Sequence, residues 1–294
     1  MERFKNNPIL KPIAEHAWES KMVFNAATVY EGGRIHILYR AMGDDGISRL
    51  GYASSKDGFQ IDERLPYPIF EPVMSEEGDG CEDPRITSFE GKHFMCYTAL
   101  GDRVSGKYQI SMTSISAEDF NNKRWNWGNR SFPFSGILDK DAALFPKKIG
   151  EKYVLLHRIE PDICVAYSDN LVNWYNAQPI IKPNRESWDS QKIGIAGPPI
   201  ETDVGWLLIY HGVDFNNVYR LGSILLDKDK PEQVIYRSPK PILEPIEEYE
   251  RFGAVPNVVF SCGAVKIDDE ILVYYGGADN VLCVANYHLK ELLP

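Results

Sequence analysis

The chain has 294 residues, of which 44% are hydrophobic, 12% aromatic and 25% charged, and its formal net charge is −10. This composition is typical of a globular protein with a sizeable core, and the negative charge argues against nucleic acid or an anionic membrane as a partner. No signal-peptide pattern opens the chain, no apolar run of about 18 residues is present, and the five cysteines form no C-x-x-C pair. We therefore expect a cytoplasmic protein with reduced thiols and no metal or redox motif.

A proline-bounded motif, Pro-Ile-x-x-Pro, recurs along the chain. Its copies are at 8–12, 68–72, 179–183 and 241–245. The spacing is about 60 residues or twice about 55, and 131–138 lies where a degenerate copy is expected. The motif therefore predicts five units, and proline at both ends suits an outer edge strand.

Each unit also contains two short apolar strands around a polar turn, which is a hairpin signal. The predicted hairpins are 26–40, 85–97, 142–158, 197–211 and 262–276. A third strand follows each hairpin, at 50–57, 109–113, 162–169, 221–227 and 282–285. Four strands in five units predict an all-β fold, a five-bladed β-propeller that forms one domain over 1–294. The N-terminal strand would complete the last blade and close the ring. Two β-sandwiches are the alternative, but they would not predict a first strand that matches three later ones.

The segment Gly80–Arg85 carries two adjacent carboxylates, Glu82 and Asp83, before a proline and an arginine. A residue before proline is restricted to extended backbone, so we expect Asp83 to be extended at the start of a strand. A carboxylate held there by Arg85 suits general acid–base chemistry. Taken alone, Asp83 could equally be a capping residue paired with Arg85.

Polar residues recur at matching positions of the units. Asn25, Asp83 and the pair Lys140-Asp141 precede first strands, and Arg40, Arg158 and His211 end second strands. We expect these side chains to meet near the axis, because charged groups are rarely buried unpaired. Three of them, together with Lys192, are counted as cations that match phosphate oxygens: Lys140, Arg158 and His211. Since the chain has no P-loop or dinucleotide fingerprint, a free phosphate or sulfate-sized anion is the better ligand.

Together, seven motifs resemble glycoside hydrolase family 130, the family of β-mannoside phosphorylases and related inverting hydrolases. They are Asn25-Ala-Ala, Tyr39-Arg40-Ala, Glu82–Arg85, Lys140–Pro146, His157-Arg158, Tyr210–Gly212 and Tyr275–Asp279. The resemblance covers almost the whole chain and includes the five-bladed propeller.

The resemblance implies a role for each candidate residue. Asp83 would be the sole catalytic acid, and its proton would reach the glycosidic oxygen through the 3-hydroxyl of the mannosyl unit. The substrate-binding candidates are Asn25, Arg40 and Asp279, with Glu82, Arg85 and Asp141. The phosphate-binding candidates are Arg158, Lys192 and His211, with Lys140 and Tyr219. Lys140 stands where related members often carry arginine, which keeps the charge but loses the bidentate geometry.

Inverting hydrolysis needs a second carboxylate to activate water, whereas phosphate needs only cations that hold it in line. The cations therefore favour phosphorolysis of a β-mannoside oligosaccharide by inorganic phosphate, with no cofactor. An inverting β-mannosidase that uses Asp141 or a loop glutamate as base is the alternative, and a sugar-binding protein without activity is a third hypothesis. The chain starts only a few residues before its first strand, without the long N-terminal extension of some β-1,4-acting relatives, so the resemblance favours β-1,2 over β-1,4 linkages. Whether the chain forms a homo-oligomer is left open.

Overall fold

In a computed structural model that describes all 294 residues, the chain is built almost entirely from twenty β-strands. The only α-helices are two short segments, α1 (Ala117–Asn121) and α2 (Glu248–Arg251). Three 3-10 turns lie at Ala17–Glu19, Ser75–Glu77 and Leu289–Glu291. None of the helices has the length and apolar character needed to cross a membrane. The prediction of an all-β fold is confirmed.

The strands fall into successive groups along the chain. The first eight are β1 (Glu2–Arg3), β2 (Met22–Glu31), β3 (Arg34–Met42), β4 (Ser48–Ser55), β5 (Glu63–Arg64), β6 (Gly80–Phe89), β7 (Lys92–Asp102) and β8 (Lys107–Ser116). The next nine are β9 (Lys140–Leu144), β10 (Tyr153–Ile159), β11 (Asp162–Ser168), β12 (Trp174–Ile181), β13 (Lys192–Ile195), β14 (Ile200–Thr202), β15 (Gly205–Val213), β16 (Tyr219–Leu226) and β17 (Val234–Arg237). The last three are β18 (Val259–Ile267), β19 (Glu270–Gly277) and β20 (Val281–His288).

These strands form five consecutive antiparallel groups, which we call sheets 1 to 5. Sheet 1 contains β2–β5 and sheet 2 contains β6–β8, and a single parallel pair, Ser48 with Gly80, joins them. Sheet 3 contains β9–β12, sheet 4 contains β13–β17, and sheet 5 contains β18–β20 with the N-terminal β1. The predicted third strands are all present. The predicted hairpins are also present, except that the first strand of sheet 4 is split into β13 and β14 around Pro198-Pro199, which lack backbone donors.

The prediction that each Pro-Ile-x-x-Pro motif forms a strand is wrong for three of the four copies. Leu10, Phe70 and Leu243 each make only an isolated bridge to the third strand of a sheet. Proline on both sides removes the donors that a longer ladder needs. Only the copy at 179–183 overlaps a strand, β12. The outermost pairing in sheets 1, 4 and 5 is instead made by the short strands β5, β17 and β1.

The hydrophobic core is divided into clusters that lie between successive sheets. Alternate residues of one strand face different neighbours, as the pleat requires: Leu155 packs toward sheet 2 and Leu156 toward sheet 4. Similar clusters join sheet 1 to sheet 2 and sheet 4 to sheet 5. A further cluster, which contains Val23 and Tyr274, joins sheet 5 to sheet 1. Every sheet is therefore packed on both faces.

A group of one buried carboxylate, one buried tyrosine and one half-buried arginine is repeated in four sheets, and we call it the triad. In sheet 1, the Tyr39 hydroxyl donates to Glu19 at 2.8 Å, and Arg64 Nε donates to the tyrosine oxygen at 3.0 Å. The triads are Glu19–Tyr39–Arg64, Glu77–Tyr97–Arg130, Asp189–Tyr210–Arg237 and Glu250–Tyr275–Arg3. In sheet 3, His157 takes the tyrosine position and pairs with Asp139.

Candidate active site

Asp83 lies at a β-bulge in β6. The pairing of β6 with β7 shifts between Glu82 and Arg85, and Asp83 has a φ of 50°. The expectation of extended backbone before Pro84 is therefore wrong. A bulge frees a residue from the ladder and redirects its side chain, and aspartate tolerates the left-handed region better than most residues.

The same device recurs on the first strands of sheets 1 and 3. Asn25 has a φ of 46° at a register shift in β2, and Asp141 has a φ of 55° at a shift in β9. Asp279 also has a positive φ, 52°, in the turn after β19. Non-glycine residues in this region are costly and concentrate at functional sites. The repeat thus supplies one redirected polar side chain from each of several sheets.

These side chains line one cavity of about 220 Å³. It is lined by ten of the twelve residues predicted from the sequence: Asn25, Arg40, Glu82, Asp83, Lys140, Asp141, Arg158, Lys192, Tyr219 and Asp279. Val255, Val258 and Phe260 complete the wall. Asp83 and Arg158 therefore open onto the same space, as the sequence argument required.

One half of the cavity, which we call the carboxyl half, is built by sheets 1 and 2 and the turn at Asp279. Asn25 Nδ2 donates to Asp83 Oδ1 at 2.9 Å, and Arg40 Nη1 donates to the same oxygen at 3.1 Å. Arg40 Nη2 also pairs with Glu82, whose carboxylate accepts a hydrogen bond from Ser48 Oγ at 3.1 Å. Asp83 is thus held in place by two donors that face the cavity.

The two aspartates of the carboxyl half have opposite pKa shifts. Burial favours the neutral form of Asp83, but the guanidinium groups of Arg40 and Arg85 outweigh it and lower the pKa below its usual value. Burial raises the pKa of Asp279 to about 7, and the charge of Asp83 adds to that shift. At neutral pH these shifts favour the ionised form of Asp83 and leave Asp279 close to its pKa.

The other half, the cation half, comes from sheets 3 and 4. Arg158 Nη1 lies 3.1 Å from Asp141 Oδ2, and its Nε is buried without a partner. Lys140 Nζ lies 4.5 Å from the centre of the Tyr108 ring. Lys192 Nζ has only Glu160 nearby, at 3.8 Å. These three cations have few protein partners and present donors to the cavity.

The remaining two predicted residues, Arg85 and His211, do not line the cavity. Arg85 is buried and donates to Asp141 Oδ1 at 2.8 Å and to the carbonyl oxygens of Ala196 and Asp83. His211 is fully buried, with Nε2 at 3.6 Å from Asp141 Oδ2, and burial lowers its pKa to about 3. Its inclusion among the cations is therefore wrong, because a buried imidazole beside Arg158 stays neutral. Both residues contact Asp141 from behind the cavity wall.

Comparison with known proteins identifies the family of this chain. A family model described as beta-1,4-mannooligosaccharide phosphorylase, of glycoside hydrolase family 130, matches residues 1–294. The chain belongs to glycoside hydrolase family 130. The resemblance predicted from the seven motifs is confirmed.

Relatives within family 130 cover nearly the whole chain. A 1,2-beta-oligomannan phosphorylase of Thermoanaerobacter sp. (strain X514) is 47% identical over 99% of this chain and 98% of its own. A beta-1,2-mannobiose phosphorylase of the same organism is 48% identical over 97% of this chain and 96% of its own. A solved structure, described as from a family of mannoside phosphorylases that contains glycoside hydrolases targeting beta-1,2 mannosidic linkages in Candida mannan, superposes with a TM-score of 0.88. It is 28% identical and covers 98% of this chain and 94% of that chain.

Sequence reasoning missed several features of this family 130 site. Phe260 lines the cavity from β18, and Tyr108 on β8 lies against Lys140, at positions where aromatic residues are indistinguishable from core. The triads behind the site had a partial signal, because an aromatic residue directly precedes the carboxylate in Trp18-Glu19, Trp188-Asp189 and Tyr249-Glu250. Their arginines could not be assigned from sequence, since Arg3 lies 247 residues from Glu250.

Proposed function

We propose that the chain is an inverting β-mannoside phosphorylase. It cleaves β-mannobiose and β-mannooligosaccharides with inorganic phosphate to give α-mannose 1-phosphate and a shortened acceptor. The observation that carries the proposal is a single cavity with one well-positioned acid, Asp83, in one half and three weakly paired cations in the other. The relatives that support the function are named for β-1,2 linkages, and we propose that linkage here.

The carboxyl half would hold the mannosyl unit. Asn25, Arg40 and Asp279 offer hydrogen-bonding groups around Asp83, and Glu82 orients Arg40 from below. Asp83 would supply the proton that the leaving glycosidic oxygen needs, relayed through the 3-hydroxyl of the mannosyl unit as the family resemblance implies. Arg85 would act indirectly, through its contacts with Asp141 and the backbone of Asp83.

The cation half would hold the nucleophile. Arg158, Lys140 and Lys192 would bind phosphate oxygens, with the Tyr219 hydroxyl beside them, and burial keeps that hydroxyl protonated by raising its pKa to about 12. A phosphate oxygen forms a bond to C1 from the face opposite the glycosidic oxygen. The C1–O bond breaks, and the leaving oxygen takes the proton that started on Asp83. His211 would pack against Tyr219 as a neutral ring.

Phosphate binding would also favour the protonated form of Asp83, which Arg40 and Arg85 disfavour in the protein alone. A like charge nearby favours the neutral form of a carboxyl group. A phosphate dianion in the same cavity therefore raises the pKa of Asp83 and opposes Arg40 and Arg85. The acid would become competent once the nucleophile has bound.

Hydrolysis is less well supported by the carboxylates present. Asp141 was the candidate base, but both of its oxygens face cations, Arg85 and Arg158, and those charges hold its pKa far below the usual value. A general base works best with a pKa near the operating pH. Asp279 has such a pKa but belongs to the carboxyl half, on the side of the acid.

We also propose that the five sheets form the blades of one β-propeller that encloses this cavity as a single domain. The cores between successive sheets, with one between the last and the first, support that arrangement. The pairing of β1 and Leu10 with β20 supports closure by the N-terminal segment. Two separate β-sandwiches would leave sheets 1 and 5 without a shared core.

A product assay with and without phosphate tests the function. We expect β-1,2-mannobiose to yield mannose 1-phosphate and mannose only when phosphate is present. In the reverse direction, mannose 1-phosphate and a panel of acceptors should give β-1,2-linked products. Equal release of mannose without phosphate would instead identify a hydrolase, and the absence of any product would favour a sugar-binding protein.

A further inference from the structure

Asp139 and His157 form a buried pair, and each is the immediate sequence neighbour of a cation of the proposed phosphate site. His157 Nδ1 is 2.6 Å from Asp139 Oδ2, both side chains are buried, and Phe134 stacks on the imidazole with ring centres 4.4 Å apart. Each member is followed in sequence by a cation of the cavity, Lys140 and Arg158, and these two cations face each other in the β9–β10 ladder. Because successive residues of a strand point to opposite faces, the pair supports the strands that carry both cations.

This pair is the exception among the five sheets. In the other four sheets, the equivalent position holds a tyrosine in a triad with a carboxylate and an arginine. Each triad contains one carboxylate, one guanidinium and a phenol that burial keeps neutral, so its net charge is zero. Asp139 has no ion pair with any arginine or lysine, and its single charged partner is His157.

Charge balance then requires a proton in the pair. An uncompensated charge is expensive in a protein interior, and burial raises the pKa of Asp139 even against the hydrogen bond from His157. The groups around the pair are Lys140 and Asp141 on its own strand, Arg158 on β10, Cys164 opposite His157 on β11, and Tyr108 on β8. None of them forms an ion pair with Asp139, because the Arg158 guanidinium pairs with Asp141 instead.

We infer that Asp139 and His157 are positioning residues for phosphate, and that they hold Lys140 and Arg158 in place while they share one buried proton. When the proton is lost at higher pH, a negative charge appears behind the two cations and competes with phosphate for them. Phosphate affinity therefore falls as the pair is deprotonated. The inference rests on the proposed phosphorylase function.

Two variants imitate the protonated, neutral state of the pair and its deprotonated, negative state. Asp139→Asn keeps an acceptor for the His157 N–H but removes the charge, so the variant cannot become negative. His157→Gln keeps a donor for Asp139 but removes the imidazole that shares the proton, so only protonation of Asp139 itself can neutralise the site, and at high pH the carboxylate is left unbalanced. We expect the phosphate KM of the wild type to match that of Asp139→Asn at low pH and to approach that of His157→Gln at high pH. The gap between the variants should be about 2- to 10-fold, with kcat and the mannoside KM nearly unchanged.

The control is Tyr97→Phe, which removes the equivalent hydrogen bond in sheet 2, where no cation of the cavity follows. It should lower the melting temperature without changing the pH dependence of the phosphate KM. The inference is overturned if Asp139→Asn and His157→Gln give the same phosphate KM at every pH, or if Tyr97→Phe reproduces their effect. If either variant does not fold, the other is compared with the wild type across the same pH range. A wild type that makes no mannose 1-phosphate would instead refute the proposed function itself.

Discussion

The carboxyl half and the cation half of the cavity differ in how their charges are balanced. Arg40 pairs with both Glu82 and Asp83, so its guanidinium is largely occupied by protein acceptors. Arg158 shares a single carboxylate, Asp141, with Arg85, and its Nε has no partner. The charges of the carboxyl half are thus paired within the protein, which suits the uncharged hydroxyl groups of a sugar. The cation half retains unpaired positive charge, which suits an anion.

In the proposed function, this difference would let one cavity bind two chemically unlike substrates in a defined arrangement. A free anion is repelled by the carboxylates around Asp83 and attracted by Lys140, Lys192 and Arg158. A sugar without charge loses nothing in the carboxyl half, where its hydroxyl groups find both donors and acceptors. In the proposed function, the two halves would therefore place the nucleophile and the acid on different sides of the sugar.

The largest expected effect is that of Asp83→Asn in the carboxyl half. The amide keeps the shape and a hydrogen bond to its neighbours but cannot donate an acidic proton. We expect kcat to fall by about 10²- to 10⁴-fold, measured as mannose 1-phosphate formed from β-1,2-mannobiose at saturating phosphate. The mannoside KM should change little, whereas the phosphate KM should fall, because the charge of Asp83 no longer opposes the anion. A variant with turnover within a few-fold of the wild type would show that Asp83 is not the acid.

A crossed pair of variants tests whether the two halves are separate in function. Arg158→Ala removes a guanidinium that has one carboxylate partner, Asp141, and an unpartnered Nε, and we expect the phosphate KM to rise by about 10- to 100-fold. Arg158→Lys should recover part of the loss, because it restores charge but not the fork of donors. Arg40→Ala is the matched control and should raise the mannoside KM instead. Equal effects of both alanine variants on both constants would contradict the division into halves.

The residues of the cavity were largely predictable because the chain repeats itself. A period of about 55–60 residues puts equivalent positions in phase, so Asn25, Asp83 and Asp141 could be compared without any structure. Their convergence follows from the repeat, and the cavity confirms it. Charge at Arg40 and Arg158 gave a second, independent signal, since such residues seldom lie unpaired in a core.

The local backbone conformation and the burial of individual side chains could not be predicted from the sequence. The rule for residues before proline predicted extended backbone at Asp83, but the β-bulge imposes a φ of 50°. The burial of a side chain also could not be read from the sequence. His211 is completely buried, and this burial keeps its imidazole neutral. The triads join residues that are far apart in sequence, so no local pattern indicates Arg64 or Arg237 as partners.

The smallest expected effect is a proton uptake by the carboxyl half when an anion binds in the cation half. Asp279, with a pKa of about 7, is about half protonated at pH 7. An anion in the cation half raises that pKa, so binding should draw up to about half a proton onto Asp279, and more if Asp83 is also protonated.

Sulfate is the suitable probe because it has no proton to exchange near pH 7. Calorimetric titrations in two buffers of different ionisation enthalpy measure the uptake, which should be smaller in Asp279→Asn. Proton release, or the same uptake in that variant, would show that an anion in the cation half does not control the protonation of the carboxyl half.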